Sequence, residues 1–194
     1  MMSALTPGFA EPVSGAQACF RLVLDAMARP GQVHALGGVA APAPLCDAAA
    51  AVVLTLLDHE TPLWLDPEAE AAKAWIAFHT GAPITVDPAR SMFALALSQS
   101  VMESWHGLPP GTDEAPETSA TVILQVVSLT TGTDFVLEGP GMRAPETLTV
   151  DGLPPDFAAI WRRNHAQYPR GIDLILCAGN QIAALPRSVA VRKG

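Results

Sequence analysis

The run Thr121-Val122-Ile123-Leu124-Gln125-Val126-Val127-Ser128-Leu129 constrains the fold more than any other segment, because it is apolar on both faces. Side chains alternate across a strand, so such a run has to be covered from both sides. It predicts the central strand of a sheet carrying a layer on each face, the arrangement of α/β proteins. Gly132 is expected to turn the chain into a neighbouring strand over Phe135–Glu138.

The rest of the chain supplies the flanking elements. From Ser14, apolar residues recur at three and four positions (Ala16, Cys19, Phe20, Val23, Leu24, Met27), which predicts a helix that Pro30-Gly31 ends. Gln32–Leu36 reads as a short strand. A second helix is expected over Leu45–Leu57, with Leu45, Ala49, Val52, Val53, Leu56 and Leu57 on its buried side. Thr61–Leu65 reads as a buried strand. Asp66-Pro67-Glu68 then has the residue types of an N-cap, first turn and dipole-favoured acid, and starts a third helix through Trp75 and Phe78 to a left-handed cap at Gly81. Beyond Pro83, Ile84–Val86 and Met92–Leu97 read as strands. Residues 107–119, rich in proline and acids, form the longest unpatterned loop. Pro154-Pro155 introduces a fourth helix with Phe157, Ile160 and Trp161 on its core side, ended by Pro169. Ile172–Cys177 and Gln181–Leu185, separated by Ala178-Gly179-Asn180, predict a hairpin. The expectation is a single α/β domain over 14–194, a mixed sheet flanked by helices, preceded by an arm over 1–13.

With 194 residues the chain suffices for one sizeable core. Apolar residues make up 49% and charged residues 15%, a surplus of core-formers that points to burial of some surface by partners. Residues 1–160 hold 18 acids against 5 lysines and arginines, a balance of −13. Residues 161–194 carry Arg162, Arg163, Arg170, Arg187, Arg192 and Lys193 against Asp173 alone, a balance of +5. An acidic body disfavours nucleic acid and anionic lipid as principal partners. Any anion site is expected near the C-terminal third.

Cys19, Cys46 and Cys177 form no C-x-x-C pair, which fits a reducing cytoplasm. The first residues show neither the basic nor the apolar region of a signal peptide, and no stretch has the length of a membrane span. Metal-ligand spacings and nucleophile turns are absent, so no metal is expected. Gly139-Pro140-Gly141-Met142-Arg143-Ala144 matches a dinucleotide fingerprint literally. Pro145 and the strand-like Leu148-Thr149-Val150 follow where a helix is required, so a turn is expected instead.

Asp58-His59-Glu60 places acids at the negative end of the second helix, a breach of local rules that needs a compensating partner. Two readings stand: Asp58 joins Arg21 or His79 in a polar cluster, or it lies at a solvated helix end. His79 and Thr80 suit the cap of the third helix, and Arg162, Arg163 and His165 the last turn of the fourth. The latter group, with Arg170 and Arg187, also offers a basic face whose guanidinium forks fit a nucleotide tail or an acidic surface.

Several segments, in order across about 170 residues, resemble the H-subunit family of carbon-phosphorus lyase systems: Phe20-Arg21, Leu54-Thr55-Leu56-Leu57-Asp58, Thr61-Pro62-Leu63-Trp64, Phe78-His79-Thr80-Gly81-Ala82-Pro83, Ala120–Val126, Gly139-Pro140-Gly141, Pro169–Leu176 and Leu185-Pro186-Arg187. The resemblance implies a cytoplasmic accessory subunit in phosphonate breakdown. Its assembly transfers an alkylphosphonate onto the ribose of ATP with displacement of adenine. It further implies other lyase subunits as partners, a homodimer in isolation, and a fold similar to a reduced pyridoxal-phosphate transferase. The cofactor itself is not expected, because its Schiff base needs a buried lysine and the chain offers only Lys73 and Lys193. The alternative is a free-standing enzyme binding an anionic small molecule, with Arg21, Asp58 and His79 as candidate working groups. Thr80, Arg170, Asp173 and Arg187 are candidate ligand or partner contacts, to phosphonate, ATP or another subunit.

Overall fold

A computed structural model describes residues 6–99, 105 and 107–194. Helix α1 spans Pro12–Ala28, starting two residues before the expected Ser14 because Pro12 takes a first-turn position, where its missing N–H costs nothing. Its core side is Cys19, Val23 and Ala26. Phe20 and Leu24, expected on that side, are 45% and 52% exposed.

Strand β1 (His34–Ala35) leads to α2 (Asp47–Leu56). All of Ala48–Val53 is buried, so this helix is covered on every side rather than on the one face expected. Strand β2 (Leu63–Leu65) ends at Asp66, whose carboxylate accepts the Glu68 N–H at 3.0 Å as an N-cap. The capped segment opens as a 3-10 turn, Pro67–Ala72, and becomes α-helix α3 only over Lys73–Thr80. Gly81, at φ 69°, closes it in the left-handed conformation expected.

Strands β3 (Ile84–Thr85), β4 (Phe93–Ala96) and β5 (Thr121–Gln125) follow. The apolar run is not one strand. Val126 still donates to the Cys177 carbonyl at 2.9 Å, but Val127 donates to Asp151 and is 75% exposed, and the chain leaves for a second sheet. There β6 (Ser128–Glu138) pairs with β7 (Glu146–Asp151) and with β10 (Ala190–Lys193). Gly132 is not the turn but lies where the β6–β7 register shifts, at φ 121°; a Cβ there would sit 2.4 Å from the Val150 carbonyl.

After α4 (Phe157–His165), β8 (Asp173–Ala178) and β9 (Gln181–Leu185) form the expected hairpin. The larger sheet runs β1-β9-β8-β5-β4-β2-β3, with β8, β5, β4, β2 and β3 mutually parallel and β9 antiparallel to both of its neighbours, β8 and β1. Alternation splits its side chains cleanly. Leu95, Ile123, Ile175 and Ile182 meet α1, α2 and α3, whereas Val122, Leu124, Leu174 and Leu176 meet the smaller sheet and α4 through Phe135, Leu148, Phe157 and Trp161. The result is an α/β chain whose mixed sheet is covered on both faces.

Candidate functional site

In open α/β sheets, ligands usually sit beyond the carboxyl ends of parallel strands. Here the chain fills that edge itself. Gln125, the last residue of β5, accepts the Cys46 N–H at 2.5 Å and donates to the Pro44 carbonyl at 3.3 Å. Ala48 donates to the Gly179 carbonyl at 2.9 Å, fixing the first turn of α2 on the β8–β9 turn. Asp66, 3% exposed, accepts the Leu97 N–H at 3.1 Å and ties β2 to the end of β4.

The opposite edge carries a groove of about 330 Å³ lined by Pro116, Glu117, Tyr168, Pro169, Pro186 and Arg187, with Asp173 and Ser188 completing it. Its floor is an ion pair. Asp173 opens β8, and Arg187 follows β9 in a turn closed by Val189 N–H to the Pro186 carbonyl at 2.9 Å. The Arg187 backbone N–H and Nε donate to Asp173 Oδ1 at 2.8 and 3.1 Å, and Nη2 donates to Oδ2. Nη1 donates to the Pro116 carbonyl at 2.6 Å. Every guanidinium nitrogen thus already has an acceptor, which makes the pair a clamp between the C-terminal hairpin and the 116–118 turn.

Helix α4 fixes that clamp from behind. Trp161 Nε1 donates to the Val189 carbonyl at 2.7 Å, and His165 Nδ1 donates to the Arg187 carbonyl at 2.9 Å. Asn164 exchanges two bonds with Ile172, both at 2.8 Å, in the manner of a strand partner. Gly171, at φ 122°, leaves room for this; a Cβ would come within 3.1 Å of both Asn164 oxygens. Asn164 and Trp161 are absent from the sequence-derived candidates. The available signal is an amide on the apolar stripe of α4, since a polar group on a buried face must find partners.

The C-terminal candidates Asp173 and Arg187 are therefore brought together, and Arg170 lies nearby, 3.2 Å from Asp113 in an exposed pair. Arg162 and Arg163 stay on the solvent side of α4. The N-terminal candidates are not gathered into one cluster. Asp58 accepts the Glu60 N–H at 2.8 Å, and its own N–H donates to Thr61 Oγ1 at 2.7 Å. This local turn, not Arg21 or His79, offsets the acid at the helix end. His79 Nε2 donates to the Thr6 carbonyl at 3.1 Å, beside Trp75 Nε1 at 2.8 Å from the same oxygen, so α3 holds the N-terminal arm. Thr80 Oγ1 donates to the Ile76 carbonyl and accepts the Ala82 N–H, a cap contact. Arg21 lies on the exposed face of α1.

The three cysteines, distant in sequence, share one region: Cys19 and Cys177 belong to the core on the helix side, and Cys46 packs nearby. Burial pushes the Cys177 thiol well above the ordinary range, with Cys46 and Cys19 adding to the shift. Among the described residues no group of three His, Cys, Asp or Glu side chains is placed to hold a metal, and no helix is long and apolar enough to cross a membrane.

Residues 7–192 match the family model described as bacterial phosphonate metabolism protein (PhnH). The chain is 40% identical over 188 residues to the alpha-D-ribose 1-methylphosphonate 5-triphosphate synthase subunit PhnH of Rhizobium meliloti, covering 95% of this chain and 94% of that one. It is 30% identical over 182 residues to the putative C-P lyase subunit protein HtxG of Stutzerimonas stutzeri, covering 90% and 85%. The chain belongs to the PhnH family of bacterial phosphonate metabolism proteins.

Proposed function

We propose that this chain is an accessory subunit of a cytoplasmic carbon-phosphorus lyase assembly, supporting the transfer of an alkylphosphonate onto the ribose of ATP with displacement of adenine. The observation that carries the reading is the near full-length similarity to a protein named as a subunit of a ribose methylphosphonate triphosphate synthase. The engaged state of these polar candidates supports it: Asp173 and Arg187 bind each other, and Thr80 serves its own helix end. In this reading the groove edged by Tyr168, Glu117 and Ser188 meets another subunit or its bound phosphonate or ATP, and the isolated chain pairs with a second copy. The scaffold is a reduced relative of the pyridoxal-phosphate transferase fold. Lys73 is exposed and paired with Glu70, and Lys193 is exposed near the chain end, so neither is placed for a Schiff base.

Reconstitution tests the proposal. Extract from cells lacking only this chain should form no phosphonate nucleotide from ATP and methylphosphonate, and adding the purified chain should restore formation. Turnover of both compounds by the chain alone would instead establish a free-standing enzyme.

A further inference from the structure

The groove beside Tyr168 has few donors left for an anion. The guanidinium nitrogens of Arg187 are engaged by Asp173 and by the Pro116 carbonyl, and its backbone N–H also goes to Asp173. The N–H groups of Tyr168 and Asp173 donate to the His165 and Ala120 carbonyls at 3.1 and 3.4 Å. Pro116, Pro169 and Pro186, which also border the groove, have no N–H to give. A phosphonate or a triphosphate is held by several such donors. The groove offers acceptors and flat apolar faces instead. Tyr168 is 61% exposed. Arg187 is balanced by Asp173, and the neighbouring Arg170 by Asp113 at 3.2 Å. Glu117 borders the same groove, is exposed, and has no ion-pair partner among the described residues, so its carboxylate is the unbalanced charge of the lining. The Ser188 hydroxyl adds an acceptor.

We infer that this groove receives an arginine side chain of another subunit, its guanidinium laid on the Tyr168 ring and paired with the Glu117 carboxylate. The inference rests on the reading that the groove meets another subunit, and adds what that subunit presents. An aromatic face beside a free carboxylate attracts a cation from both sides, through the ring quadrupole and through the opposite charge. Arginine suits it better than lysine: its guanidinium is flat, so it lies against the tyrosine and proline faces, it sheds water more readily, and its fork fits a carboxylate. A volume of about 330 Å³ is at the small end of pockets that hold a ligand, which limits the occupant to about one long side chain. The acceptors of the lining, Glu117 and Ser188, match a group that only donates.

Capture of the other lyase subunits by the tagged full chain, over a concentration series in extract of cells lacking this chain, tests this. Glu117→Arg and Tyr168→Leu, with thermal melts unchanged because both side chains stand in solvent, should each raise the concentration for half-capture by about tenfold or more. Tyr168→Phe, which keeps the ring, should capture as the wild type does. Tyr168→p-benzoylphenylalanine, irradiated in the assembly, should cross-link to a partner peptide that holds an arginine beside the link. Exchanging that arginine for glutamate should restore capture by Glu117→Arg. A wild type that captures no lyase subunit would overturn the reading and the inference together. Wild-type capture that Glu117→Arg and Tyr168→Leu leave unchanged would overturn the inference alone. So would a cross-linked peptide without arginine, or a charge exchange that fails to restore capture.

Discussion

Asp173 and Arg187 are 19% and 14% exposed at the side chain, so each relies on the other for most of its solvation. Asp173→Asn leaves a largely buried guanidinium without its counter-charge and should destabilise the chain by about 3–5 kcal/mol in urea unfolding. Removing both charges with Asp173→Leu and Arg187→Met together should cost less than the single change. At Cys177 the fold favours the neutral thiol, because burial raises its pKa. That preference contributes its full stability below the ordinary thiol range, near about 8.5, and is lost as pH rises towards the folded value. Cys177→Ser should therefore flatten the alkaline fall of stability. In the native wild type, thiol reagents at neutral pH should reach Cys46 before Cys177, as read by mass spectrometry.

Among the elements, the arm and the two sheets hold what local pattern alone could not reveal. Thr6 binds to Trp75 and His79, 69 and 73 residues away, a contact that no periodicity encodes. His79→Ala should leave the helices intact, cost about 1 kcal/mol, and speed proteolytic cleavage before Pro12. The β5 run was legible as an inner strand from its composition. Its departure at Val127 was not, because Val126 and Val127 are equally good strand formers and the choice is made by Asp151 and the tight packing of Gly152. Helix ends were legible wherever side-chain chemistry sets them, as at Asp66 and Gly81. Strand β10 was missed because Ala190–Lys193 has the look of a charged tail, and only its pairing with β6 makes it a strand. The clamp was half visible: Asp173 and Arg187 stood out as charges, but their partnership depends on the β8–β9 hairpin bringing residues 14 apart into contact.

Across the whole molecule, the carboxyl edge of the parallel strands is occupied by the chain's own loops, and the exposed features lie elsewhere: the groove by Tyr168, the apolar stripe of α1 and the arginines of α4. Such a surface suits a protein that works through its neighbours, and the acidic body with a basic C-terminal region supports oriented encounter with them. The most direct measurement is purification of the tagged chain from cells induced by phosphate starvation, with the native mass and composition of what comes with it. The account predicts a stable multi-subunit assembly that contains the other lyase subunits. A chain recovered only by itself, yet binding ATP or methylphosphonate, would contradict it.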